Sequence, residues 1–252
     1  MKKSFLKSKL EVFSSCILLF IMWEVLAIKI DNDIYLPSLG EVLKNLYEII
    51  RGEYFLINIS STAIRVLVSF SLAFFISIVL GSLSYISSSF KNFIKPINSI
   101  LQSVPTMILV VLALIWFDKN KAPFIIGISV VFPILYESVL GALNNIDKNI
   151  IEMVDIYNLR IIDKIKYIYI PSINIKLIPI FLSTLSLALK VVIAGEIYGQ
   201  PSFGIGSIIQ VEKTNFNTPA IFAWIVIIVI ISIGLDYIQK YISKYNYKWR
   251  RI

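Results

Sequence analysis

Glu24, Glu137, Lys190 and Glu196 are charged side chains within or near strongly apolar stretches. Insertion scales put the cost of one charge in hydrocarbon at about 2.5 kcal/mol or more, so each should face an interior, an interface or an aqueous path. For Glu24 and Glu137, snorkelling or a structural hydrogen bond is the favoured reading. Lys190 and Glu196 are six residues apart on one expected helix. That spacing is about 600° of turn, so they point to different sides and do not pair. Each suits a polar path through a membrane or a helix contact equally well. Little else here could do chemistry. The chain has no histidine and one cysteine, Cys16. This excludes an intramolecular disulfide and leaves no zinc site, haem site or histidine proton relay. No cluster of catalytic spacing is present, and no metal ligand set is expected. There is no Gly-x-x-x-x-Gly-Lys-Ser/Thr loop, so any ATP must be hydrolysed by another chain.

The longest polar interruption between apolar segments spans 144–179, NNIDKNIIEMVDIYNLRIIDKIKYIYIPSINIKLIP. Two short amphipathic helices can be read in it. In the first, Ile151, Val154 and Tyr157 recur at helical spacing, Glu152 and Asp155 lie on an adjoining face, and Asp147 or Asn149 can cap. In the second, Ile161, Ile165 and Ile168 form the stripe, with Asp163, Lys164 and Lys166 turned elsewhere. Asn158 lies between them and tolerates a left-handed backbone, which predicts a sharp corner. Pro171 and Pro179 suit the first turns of new helices. A helix–corner–helix of this kind reads as a docking element.

The elements that carry these residues are membrane spans. Of 252 residues, 57% are hydrophobic and 16% charged, with a mean hydropathy of +0.80. A soluble domain of this length could not cover that much apolar surface. Six spans are expected, at about 12–28, 57–85, 94–117, 123–143, 177–197 and 220–241. Pro105 is expected to separate a short entry helix from the third span. Residues 31–58 hold a capping box, Ser38-Leu39-Gly40-Glu41, and predict a short helix on the outer surface. Gly204-Ile205-Gly206 reads as a turn before another outer helix. The net charge of +8 gathers at loops and termini, which is the pattern of the positive-inside rule and not of nucleic-acid binding. Lys2, Lys3, Lys7, Lys9, Lys91, Lys95, Lys148, Arg160, Lys164, Lys166 and Lys176, with the tail Lys240, Lys244, Lys248, Arg250 and Arg251, fall on one side. That side is the cytoplasmic one, and it includes 144–176 and both termini.

The docking stretch resembles the cytoplasmic coupling loop of permease subunits of bacterial ABC importers. The family pattern is Glu-Ala-Ala, three residues, Gly, and later a Leu-Pro or similar pair. Here it is Glu152-Met153-Val154, Asn158 and Ile170-Pro171, with the spacing kept. Met153 and Val154 replace the alanines and Asn158 the glycine. Other blocks follow in family order. YLPSLGEVL and VPTMILVVLALIWFDKNKAPFIIGISVVFPILYES are similar to blocks of nitrate/sulfonate/taurine-type permeases, with Asp118 where glycine is usual. LALKVVIAGEIYGQPSFGIGSII matches at Glu196, Gly204 and Gly206, and the last span carries Asp236 near its end.

The resemblance implies an all-α polytopic fold with six transmembrane helices and a cytoplasmic coupling-helix loop at about 144–176. Its parts would be an N-terminal helix with an outer interfacial helix over 1–56 and a five-helix permease core over 57–252. It implies a homodimer in a bacterial cytoplasmic membrane, two ABC ATPase subunits that carry ATP-Mg, and an extracytoplasmic substrate-binding protein. No cofactor would bind this chain. Glu152, Met153, Val154, Asp155, Asn158 and Pro171 would couple to the ATPase, and Lys190 and Glu196 are candidates for the translocation path. The solute would be small and polar, of the sulfonate, nitrate, taurine or thiamine-precursor kind. The alternative is a self-sufficient secondary transporter, which predicts inverted repeats that the sequence does not show.

Overall fold

The computed structural model describes residues 2–246. Lys248, Arg250 and Arg251 lie outside the described residues, as do the side chains of Lys2, Lys3, Lys7, Lys9, Asp236, Lys240 and Lys244. Every regular element among the described residues is a helix. Five helical runs are long and apolar enough to cross a membrane: Phe13–Ile30, Phe55–Ile86, Ala122–Asn144, Ile161–Gly199 and Thr218–Leu235. The chain is an all-α polytopic membrane protein. A sixth crossing exists only if α4 (Ser88–Ser103) and α5 (Thr106–Trp116), bent by 107° at their junction, count as one span. After Pro105, α5 has 11 residues, about 16 Å of helix against a hydrocarbon core of about 30 Å. The break expected at Pro105 is present, and because the piece after it is too short to span alone, a third crossing there takes α4 and α5 together.

The described chain forms two compact units. The first joins Met1–Leu56 to Ile208–Val229. Within it, α1 (Lys2–Ile30) is followed by a turn and α2 (Leu39–Arg51). The expected capping box is formed, with Ser38 Oγ accepting from Glu41 N at 3.3 Å and Glu41 Oε2 from Ser38 N at 3.3 Å. Trp23 Nε1 donates to the Pro37 carbonyl at 2.9 Å. Trp23 also meets the Phe222 ring edge-on, with centroids 4.9 Å apart.

The second unit holds Ile57–Ser207 and Ile230–Ile252. Its core is α6 (Ala122–Asn144) against α9 (Ile170–Gly199) and α3 (Phe55–Ile86). Along α3, Asn58, Thr62, Arg65, Ser69, Ala73, Ser77, Gly81 and Ser84 recur three or four residues apart and are all buried. Small and hydroxylated residues allow close approach between spans where lipid offers no hydrophobic drive. Ser77 Oγ donates to the Phe132 carbonyl at 3.1 Å, and the Tyr136 hydroxyl to Ser84 Oγ at 2.9 Å. Val110, Ala113, Ala122, Ile126 and Val191 make an apolar cluster.

Between α6 and α9 lie α7 (Lys148–Ile156), α8 (Ile161–Lys164) and a π-helical turn, Ile165–Tyr169. The second expected amphipathic helix is not separate from the span. It runs through the π turn into α9, giving one helical run over Ile161–Gly199. The wider turn ahead of Pro171 gives room for a ring that would otherwise meet the carbonyl four residues back. Pro171 does stand in the first turn of α9, but Pro179 lies inside it. The expectation of a helix start at Pro179 is thereby corrected.

Candidate functional site

The corner at 157–160 is built by local chemistry. Asp147 caps α7, its carboxylate accepting from Asn149 N at 2.9 Å. Asn158 adopts φ 50°, the left-handed turn its type permits. Leu159 N returns to the Val154 carbonyl at 3.3 Å, and Lys164 Nζ meets Asp155 Oδ1 across the corner at 2.5 Å. Val154 is buried and anchors the turn, while Ile151 is half-buried. Glu152, Met153 and Asp155 are exposed, as are Asn158 and Ile161. Ile156 and Tyr157 are 78% and 74% exposed. The expected stripe is thus only partly buried in this chain, and Tyr157 turns outward. The exposed apolar side chains of the corner are flanked by the exposed acids Glu152 and Asp155.

The second constellation closes the far end of α9. Glu196 is 0% exposed. Its carboxylate accepts from Arg65 Nη1 at 2.7 Å, from Thr62 Oγ1 at 2.9 and 3.0 Å, and from Gly206 N at 2.9 Å. Thr62 Oγ1 in turn accepts from Ile205 N at 2.9 Å, and Asn58 Oδ1 from Gly204 N at 2.9 Å. Arg65 Nη1 also reaches the Phe203 carbonyl at 2.7 Å. Three residues of α3 and one of α9 therefore hold the turn that starts α10 (Ile205–Thr214). Glu196 sits at the positive end of α10, where a carboxylate is favoured. Both glycines are required. Gly204 has φ 152°, and a Cβ there would lie 2.7 Å from the Glu196 carboxyl; a Cβ on Gly206 would strike the Ile193 carbonyl. Glu196 is so enclosed between α3, α9 and the start of α10, the helix-contact geometry that is one of its two readings from sequence. Arg65 was not among the charges singled out from sequence. Its signal was the spacing of Asn58, Thr62 and Arg65 on one face of an apolar helix.

The remaining charges separate. Glu24 Oε2 accepts from Leu39 N at 3.0 Å, a structural hydrogen bond at the start of α2. Lys190 is exposed, on the side of α9 away from its buried stripe Leu185, Ala188, Leu189 and Val192. It forms no ion pair with Glu137. Glu137 instead accepts from Asn98 Nδ2 at 2.6 Å. Glu137 lines a groove of about 540 Å³ beside the break between α4 and α5. Among the described residues, no group of three or more His, Cys, Asp or Glu could hold a metal ion.

A family model, that of the binding-protein-dependent transport system inner membrane component, matches residues 73–245. The chain belongs to that family. It is the permease subunit of an ABC-type importer for a small solute, and the ATPase of such a system is a separate subunit. The permease is 27% identical over 238 residues to a protein of Methanocaldococcus jannaschii named as an ABC transporter permease, covering 92% of this chain and 89% of that one. It is 19% identical over 232 residues to the aliphatic sulfonates transport permease SsuC of Bacillus subtilis, covering 91% and 83%. A solved inward-facing structure of the methionine ABC transporter MetNI shares the fold, with a TM-score of 0.63 and 16% identity. That match covers 76% of this chain and 95% of the MetNI chain. That likeness is one of fold, and the fold does not name the solute.

Proposed function

We propose that this permease couples to its ATPase through the helix–corner–helix at 144–176, with Glu152, Met153, Val154, Asp155, Asn158 and Pro171 as its working residues. The observation that carries the reading is the exposed apolar corner between Met153 and Ile162, rimmed by Glu152 and Asp155. It is joined without a break in the helix to the span Ile161–Gly199. Movement of the corner would be transmitted to that span as by a lever. In this proposal two copies of the chain form one path. Two ATPases hydrolyse ATP-Mg on the cytoplasmic side, and a binding protein delivers solute from outside. Residues 57–252 form the working core, and 1–56 an added helix pair. Lys190, exposed on a membrane helix, faces the path or the second copy. The solute is of the sulfonate, nitrate, taurine or thiamine-precursor kind, as the likeness to SsuC supports. Glu152→Lys should abolish transport while the subunit still folds and inserts, because a reversed charge on a docking face costs coupling. Co-purification with the ATPase and ATP hydrolysis by the complex read this out. A mutant complex that assembles and hydrolyses like the parent would refute the assignment.

A further inference from the structure

The groove beside the break between α4 and α5 holds a charge that the transport reading leaves unused. Its walls are largely apolar, from Leu101, Val104, Leu109, Val130 and Pro133, and Glu137 is its one charged lining residue. Glu137 is exposed, and neither ion pair among the described residues includes it. Its partner is neutral Asn98, held by the 2.6 Å hydrogen bond from Nδ2. Asn98 is only 4% exposed, and its enclosed Oδ1 has no hydrogen-bond partner among the described residues. The break adds further acceptors, since Pro105 has no N–H to give the Leu101 carbonyl. Irregular backbone at membrane depth is tolerated where it lines a cavity, and broken helices mark solute sites in other transporters. The first N–H groups of α5 open at the same break, so the formal charge of Glu137 sets the sign of the site.

We infer that this groove is a solute subsite for a cationic or N–H-donating group, such as a protonated amine or an aminopyrimidine, and that it disfavours plain anions. An ammonium entering between apolar walls trades part of its hydration for the Glu137 carboxylate. An anion meets a like charge in the groove, and neither ion pair among the described residues gives Glu137 a cationic partner. The inference rests on the permease reading and narrows it. Of the solutes proposed above, taurine and a thiamine-precursor pyrimidine carry such a group, whereas nitrate and simple sulfonates do not.

The test uses the assembled transporter in nanodiscs, with Cys16→Ser and a single Ser138→Cys on the groove wall. Its thiol is modified by methanethiosulfonate reagents of similar size carrying either trimethylammonium or sulfonate. Rates are referred to a free thiol. The cationic reagent should be favoured by about tenfold, and the bias should fall by about fivefold or more in Glu137→Gln. Glu137→Asp, which keeps the charge, should keep most of it. A bias unchanged by Glu137→Gln, a preference for the sulfonate reagent, or a thiol that reacts with neither overturns the subsite. ATP with vanadate separates this from the permease reading. A charge bias that persists with no response to ATP keeps the subsite and counts against a moving permease. A response to ATP without the bias does the reverse.

Discussion

At Lys190 the chain turns a charge away from the buried stripe of α9, and no carboxylate of the described residues forms an ion pair with it. Hydrocarbon around such a group is costly, and the proposal gives it an aqueous path or a second copy as its polar company. Lys190→Met should lower transport of the natural solute with little loss of assembled complex. Uptake by proteoliposomes, read beside complex yield and melting temperature, distinguishes the roles: a parental rate removes Lys190 from the path, and failure to assemble makes it structural. Glu196 shows why residue type alone does not decide. It carries the same penalty in the same helix, yet four donor contacts from Arg65, Thr62 and Gly206 enclose it. Nothing in the spacing of Lys190 and Glu196 distinguishes the enclosed charge from the exposed one, because the donors come from 131 and 134 residues away along the chain or from the turn beyond.

Among the elements, the small-residue face of α3 decides the packing of the second unit. Its polar end secures α9 and the start of α10 through one ion pair. Breaking one partner of a buried pair leaves an uncompensated charge, whereas removing both charges can be nearly neutral. Arg65→Met should therefore destabilise the unit by about 3–5 kcal/mol, and Arg65→Met with Glu196→Gln should recover most of the loss. Thermal and denaturant unfolding of the two variants in lipid nanodiscs measures this. If the double variant is no more stable than the single one, the ion pair is not what the clamp depends on. The corner between α7 and α8 was legible from Asn158 and Asp147, because caps and left-handed turns are local chemistry. The fusion of α8 with α9 was not. A π turn ahead of Pro171 carries the helix through two prolines that, read locally, start new helices.

For the molecule as a whole, charge predicts the sidedness. Lys91, Lys95, Lys148, Arg160, Lys164, Lys166 and Lys176 fall in the segments assigned to the cytoplasm, and short basic loops stay inside. In a Cys16→Ser background, Asp163→Cys should resist an impermeant thiol reagent added outside intact cells and react after permeabilisation. A cysteine at Lys44, in α2, should show the opposite pattern. Labelling of position 163 from outside would reverse the topology and with it the docking proposal.

The sequence by itself determined the class of molecule. Apolar runs of spanning length, no P-loop and ordered family blocks are composition and local pattern, and they led to an all-α permease whose ATPase is another chain. Caps, the corner at Asn158 and the turn at Gly204 and Gly206 were legible for the same reason. Tertiary structure alone decided the rest. It set the bend at the Pro105 break to 107°, enclosed Glu196 with Arg65, and placed Glu137, bonded to Asn98, on the wall of a groove. The physical reason is that the cost of a charge in a membrane depends on what surrounds it. Those surroundings come from helices remote in sequence, so packing and not spacing settles whether a charge is buried, paired or open.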